Sequence, residues 1–190
     1  MRRFLLALLP LALAAAPAKL PHVRLETSAG PILLEIDNRH APITGNNFLA
    51  YVDEHKFDGT SFYRAARSKT DPHRGFVQGG TNHDLTRSKF PIDHEPTTKT
   101  GLHHVDGAIS MARLAPGTAQ GDWTISVGPN LAMDAHGKDP GYAVFGRVIG
   151  GMDTVKRILA AKTLPGVGSP EMRGQMLAQP VRIVRAVRAP

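Results

Sequence analysis

Ser61-Phe-Tyr-Arg-Ala-Ala66, Gly75-Phe-Val-Gln-Gly79, Gly107-Ala-Ile-Ser-Met-Ala112, Trp123-Thr-Ile-Ser-Val127 and Ala143-Val-Phe-Gly-Arg-Val148 decide how this chain folds. Each run is too short for a stable helix, is rich in β-branched or aromatic residues, and is bounded by Gly, Pro, Asp or Asn. They read as strands joined by turns and loops. Upstream, His22-Val-Arg-Leu-Glu-Thr27 and Ile32-Leu-Leu-Glu-Ile36 flank Ser28-Ala-Gly-Pro31, which predicts a hairpin. Between that hairpin and residue 61, Pro42 suits a first helical turn, and Ile43, Phe48, Leu49 and Val52 recur at helical spacing, so Ile43–Asp53 is expected to be a helix.

Downstream, Met152, Val155, Ile158 and Leu159 give Met152–Ala160 one apolar face, and Val181-Arg-Ile-Val-Arg-Ala-Val187 returns as a last strand. Eight short strands and two helices predict a mainly β fold, a closed eight-stranded antiparallel β-barrel capped by two α-helices. Closure removes the edge strands that an open sheet would expose. The connections Thr81–Asp106 and Gly128–Gly141 are too long for hairpins. Loops of that length usually carry function, so the site is expected on the outer wall or rim of the barrel beside them.

The chain has 190 residues, 42% of them hydrophobic, which suits one domain with one closed core. Its first residues differ from the rest. Arg2 and Arg3 precede an apolar run from Phe4 to Ala16, and Ala16-Pro-Ala18 offers small residues for cleavage. Residues 1–18 are read as a signal peptide and 19–190 as the domain, with the mature chain starting near Lys19. A cut after Ala14 is the alternative, since Pro17 disfavours one after Ala16. The run is shorter than the roughly twenty residues a spanning helix needs. No stable membrane insertion is therefore expected after cleavage, and the location is expected to be periplasmic or secreted.

There are no cysteines, so neither a disulfide, a thiolate site nor a lipid anchor on cysteine is available. The formal charge of +7 falls by two to +5 without the leader, whose only charges are Arg2 and Arg3. The densest basic cluster, Arg64, Arg67, Lys69 and Arg74, is interrupted and has only Tyr63 and Phe76 as neighbouring aromatics. A solvated basic face explains it better than nucleic-acid binding.

Four segments in order resemble the cyclophilins. They are Ala41-Pro-Ile-Thr-Gly-Asn-Asn-Phe48; Ser61-Phe-Tyr-Arg64 with Phe76-Val-Gln-Gly-Gly80; Gly107-Ala-Ile-Ser-Met-Ala112; and Ala143-Val-Phe-Gly-Arg-Val-Ile-Gly-Gly-Met-Asp-Thr-Val155. The resemblance runs from about Val23 to Val187. It implies the same barrel, prolyl cis/trans isomerase activity, no cofactor, and proline-containing segments of unfolded or exported proteins as partners of a monomeric chain. The barrier such an enzyme lowers is amide resonance, about 18–20 kcal/mol. A guanidinium that donates to the proline nitrogen binds the twisted amide best, because only there is the nitrogen lone pair free.

By its place in Phe62-Tyr-Arg64, the resemblance gives that role to Arg64, and it makes Gln78 the amide that holds the substrate backbone. It implies a substrate-binding wall from Phe62, Phe76, Met111, Ala112, Arg113, Thr124, Met133 and Tyr142. Without the resemblance, Arg64 would read as a surface ion-pair partner, Gln78 as a strand amide, and Phe76 and Met111 as barrel core.

The chain also departs from the family pattern. Thirteen residues separate Arg64 from Gln78, with Arg67–Arg74 as the apparent insertion, and only Val77 separates Phe76 from Gln78. Thr124 stands where the family has a pocket phenylalanine, Ala132-Met-Asp134 where it has Trp-Leu-Asp, Tyr142 for its histidine, and Arg113 for a small polar residue. A shallower and more polar pocket is expected, with weak binding of cyclosporin-type inhibitors. These departures keep a second reading open, a cyclophilin-like chaperone or peptide-binding module with little turnover. Metal binding by His94, His103 and His104 with Asp93 or Asp106 is chemically possible, but adjacent strand histidines would face opposite ways, and no metal site is assigned.

Overall fold

The computed structural model describes residues 19–190; the expected signal peptide, residues 1–18, lies outside the described residues. Eight strands are present among them: β1 (His22–Thr27), β2 (Gly30–Ile36), β3 (Ser61–Arg67), β4 (Gly75–Gly80), β5 (Ala108–Met111), β6 (Asp122–Val127), β7 (Val144–Gly150) and β8 (Met176–Ala189). They close in the order β1-β2-β7-β5-β6-β4-β3-β8, with every neighbouring pair antiparallel and β8 returning to β1. The expected barrel is what forms.

Alternation along the strands fills it. Val23, Leu25, Ile32, Leu34, Val77, Ile109, Trp123, Ile125 and Ile183 are all buried side chains of one core. Helix α1 (Pro42–Asp53) adds Phe48 and Tyr51 to that core. Phe48 lies 5.2 Å from the Phe57 and Phe145 rings and meets Trp123 edge-on at 5.8 Å. Helix α3 (Met152–Ala160) turns Val155, Ile158 and Leu159 inward. No helix among the described residues is long and apolar enough to cross a membrane.

Two features go beyond the sequence reading. A short helix, α2 (Thr97–Thr100), ends on left-handed Gly101. Just before it, buried Glu95 accepts hydrogen bonds from Ile43 N (3.2 Å), Thr44 N (2.8 Å) and Thr44 Oγ1 (2.7 Å). It thus caps α1 from some fifty residues away, where Ala41 has no side chain able to do so. The last strand also starts five residues before the expected Val181, and Met176 pairs with Arg64. Ala178-Gln-Pro180 hides this extension in the sequence by interrupting the apolar run.

Candidate active site

The site is built on one hairpin, β3–β4. Arg64 and Gln78 are direct cross-strand partners, so the thirteen residues between them do not separate them. The surplus lengthens the hairpin to the Arg67–Gly75 pair and a turn over residues 68–74. Gly75 makes this end possible: at φ 141° a side chain is strained, and a Cβ would come within 2.0 Å of Ala66 O. The insertion therefore does not reshape the rim around Arg64. Its Pro72, His73 and Arg74 instead line a cavity of about 510 Å³ against α3, which contains neither Arg64 nor Gln78. Size alone does not locate the chemistry; converging polar groups do.

A bulge aims Arg64. The β3 register shifts between Phe62 and Arg64, so Phe62 points into the barrel, Tyr63 and Arg64 both turn outward, and Ala65 points inward again. Strand β4 is regular, and its single intervening Val77 is what places Phe76 and Gln78 on one face. From Arg64 the outward row continues across the sheet through Gln78, Thr124 and Ser110.

Beside this row lies a cavity of about 340 Å³. It brings together eight of the expected residues: Arg64, Phe76, Gln78, Ala112, Arg113, Thr124, Met133 and Tyr142. The other two require correction. Phe62 and Met111 are core residues, 0% and 2% exposed; Phe62 meets Trp123 edge-on at 5.2 Å, and Met111 pairs with Trp123 across β5 and β6. Phe62 lies just before the bulge, and Met111 follows outward-facing Ser110 on β5, so the alternation of each strand turns both into the core.

Arg64 donates from Nη1 to Gln78 Oε1 and from Nε to Gln175 Oε1, both at 2.8 Å, and its guanidinium carbon sits 5.0 Å over the Phe76 ring. Burial draws its pKa below the usual arginine value, yet a guanidinium stays protonated at any physiological pH. Nη2 makes no hydrogen bond to another described residue. Gln78 Nε2 donates to Tyr63 Oη at 2.8 Å, which leaves its second amide proton for a ligand carbonyl. Burial first, and then the Asp122 carboxylate, push the Tyr63 phenol well above its ordinary pKa, so it remains a neutral hydroxyl.

The floor is polar. Thr124 Oγ1 and Ser110 Oγ lie 2.9 Å apart, both buried. On the far wall the Arg113 guanidinium stacks 4.8 Å over Tyr142 and donates from Nε to Gly141 O at 3.1 Å. Two residues that the sequence reading missed, Glu171 and Met172, complete the rim from the connection between α3 and β8. That segment has no periodicity and no motif, so nothing in the sequence pointed to it. A second cavity of about 190 Å³ shares Gln78, Ala112, Arg113 and Met172 with the first.

Tyr142 N donates to Met133 O at 3.0 Å, and the next residue, Asp134, ties this loop to residues 103–104. Its carboxylate accepts from His103 Nδ1 (2.8 Å), His104 Nδ1 (2.6 Å) and His104 N (3.0 Å). The two histidines converge on one carboxylate because residues 101–105 are not a strand, contrary to the opposite-face expectation. His94 Nε2 lies 2.9 Å from Pro140 O, on the same loop, and among the described residues no group of three His, Asp or Glu side chains is arranged to hold a metal ion.

The family model for cyclophilin-type peptidyl-prolyl cis-trans isomerases matches residues 22–187, from the first strand to the last. The chain is 34% identical to a peptidyl-prolyl cis-trans isomerase of Acinetobacter baylyi over 166 residues, 85% of this chain and 82% of that protein. It is 37% identical to one from Streptomyces antibioticus over 171 residues, 86% of this chain and 96% of that protein. A Cryptosporidium parvum cyclophilin crystallised in the presence of the dipeptide Ala-Pro superposes with a TM-score of 0.71 at 18% identity, covering 89% of this chain and 99% of that one. Barrel order, the outward Arg64–Gln78 pair and similarity along nearly the whole domain agree: the chain belongs to the cyclophilin-type peptidyl-prolyl cis-trans isomerases.

Proposed function

We propose that this protein accelerates rotation about X-Pro peptide bonds, with Arg64 as the donor to the proline nitrogen and Gln78 as the group that holds the substrate backbone. The observation that carries this is the Arg64 guanidinium, fixed on Gln78 and on Phe76 at the mouth of the 340 Å³ cavity. Phe76, Ala112, Met133 and Tyr142 supply the proline wall, and Thr124 its polar floor. As the amide twists, its nitrogen becomes a better acceptor, so a preorganised cation there binds the transition state more strongly than either ground state. No cofactor enters the reaction.

Arg64→Ala is expected to lower kcat/KM for cis-proline peptides by roughly 100-fold, the scale for losing one preorganised donor, with the fold retained. Gln78→Ala is expected to cost less. A protease-coupled assay beside circular dichroism checks both, and unaltered turnover in folded Arg64→Ala would remove Arg64 from the chemistry. Parent protein that binds proline peptides without turning them over would leave the chaperone reading in its place.

The setting belongs to the same proposal: a monomer acting on exported proteins in the periplasm or outside the cell. The export part is supported by Arg2-Arg3, the apolar run to Ala16 and the small residues at 16–18. N-terminal sequencing of the accumulated protein is expected to begin near Lys19. Intact Met1 in the cytoplasmic fraction would defeat it.

A further inference from the structure

Gln78 holds only one corner of the Arg64 guanidinium. An arginine has a long chain whose rotamer freedom must be removed before its head can act as a fixed donor. A single acceptor on Nη1 leaves the guanidinium plane able to swing. The second acceptor comes from the connection between α3 and β8, which carries no family motif. Gln175 Oε1 accepts from Arg64 Nε at 2.8 Å.

Gln175 is itself tied down on three further sides. Its Nε2 donates to Glu171 O at 3.1 Å, its backbone N donates to Met172 O at 3.0 Å, and its carbonyl accepts from Ala65 N at 2.8 Å. The last bond extends the ladder between β3 and β8, where Arg64 faces Met176. The side chain that grips Arg64 is thus registered to the strand that carries Arg64. With Nε and one Nη1 proton engaged and Phe76 beneath the plane, the guanidinium is held at two of its three nitrogens, and both Nη2 protons stay free of any described residue.

The geometry points to Gln175 as a positioning residue for Arg64, fixing the guanidinium plane through Nε so that an Nη2 N–H meets the twisting proline nitrogen. This rests on the reading of Arg64 given above. Gln175 also links the Arg64 head to Glu171 and Met172 on the rim of the cavity, so one side chain couples the donor to the wall that substrate must pass.

The test uses the full chain with Gln175→Ala and Gln175→Met; the methionine keeps the bulk of the side chain and removes the acceptor. Both are expected to lower kcat/KM by about tenfold, with the loss in kcat and KM within twofold, since misplacing a catalytic group by about an ångström costs on that order or more. The Arg64 Nε–H resonance in a ¹⁵N spectrum, identified by its loss in Arg64→Ala, is expected to be sharp in the parent and broadened by exchange in both variants. Full kcat in folded Gln175→Met, or a loss in KM alone with the Nε–H signal unchanged, would overturn the assignment. An inactive parent, or Arg64→Ala as active as the parent, would instead defeat the reading of Arg64, and the two failures are thereby separate.

Discussion

Arg64 and Thr124 show how much one side chain decides here. Arg64 is the kind of residue that, taken alone, belongs in a surface ion pair, yet it is held by two glutamine oxygens over an aromatic ring and, among the described residues, pairs with no carboxylate. Its charge is oriented without being neutralised. Thr124 shares a hydroxyl pair with Ser110 on the cavity floor, at the position where the family pattern described above has a phenylalanine ring. Burying that ring against proline is worth on the order of 1–3 kcal/mol. Thr124→Phe is therefore expected to lower KM for proline peptides several-fold, and to cost stability because Ser110 Oγ is left unpaired, about 1–3 kcal/mol for a buried hydroxyl. Adding Ser110→Ala should recover that cost. An unchanged KM in folded Thr124→Phe would mean that proline binds elsewhere in the cavity.

The β3–β4 hairpin sorts its residues by face. One bulged residue, Tyr63, reverses the side on which everything after it lies, which is why Phe62 and Arg64 end on opposite sides of the wall although strict alternation would put them on one. A contrast follows. Phe62→Ala is expected to lose about 3–5 kcal/mol of stability, the cost of a phenyl-sized gap in a packed core, while the folded fraction keeps its KM. Phe76→Ala is expected to do the reverse, raising KM with a smaller loss of stability, since Phe76 is only partly buried. Urea unfolding beside peptide kinetics separates the two, and a Phe62→Ala protein with full stability and raised KM would return Phe62 to the substrate wall.

Across the whole molecule, the loop that carries Met133 and Tyr142 is docked through a buried histidine. His104 is fully buried; its Nδ1 is bonded to Asp134, and its Nε2 has no partner among the described residues. Desolvation lowers its pKa from 6.5 more than the Asp134 carboxylate raises it, because a proton on Nε2 would be a buried charge without an acceptor. Burial alone would raise the Asp134 pKa, but its hydrogen bonds from His104 and His103 hold it below the usual 3.8. Both shifts act in the same direction. The unfolded chain takes up protons first, so stability is complete above about pH 6.5, falls as pH drops below the unfolded histidine value, and falls further near pH 4 as Asp134 titrates. Thermal melts between pH 7.5 and 5 are expected to show Tm decreasing with acid, and His104→Gln is expected to flatten the upper part of that slope. A parent Tm that holds constant or rises from pH 7.5 to 5 would refute this coupling.

What the sequence determined by itself was the set of strands and their character. Alternating apolar residues bounded by turn formers can bury one face only by closing on one another, and the order of the motifs then gave the family, the Arg64–Gln78 pair and most of the wall. Of the two long loops expected beside the site, Gly128–Gly141 reaches the 340 Å³ cavity through Met133, whereas Thr81–Asp106 does not line it and borders the smaller neighbouring cavity, through His83 and Pro91. Only the tertiary structure decided the side on which each residue lies and what meets it across the chain. Motif adjacency puts Phe62 and Met111 on the wall, because it carries no information about a bulge or about the pairing of Met111 with Trp123. Glu95 on α1, Asp134 on two histidines, and Gln175 on Arg64 join positions some 30 to 111 residues apart. Such partners are brought together by barrel closure and by the early start of β8. Local propensity records neither, because a hydrogen bond between distant residues leaves no period in the sequence.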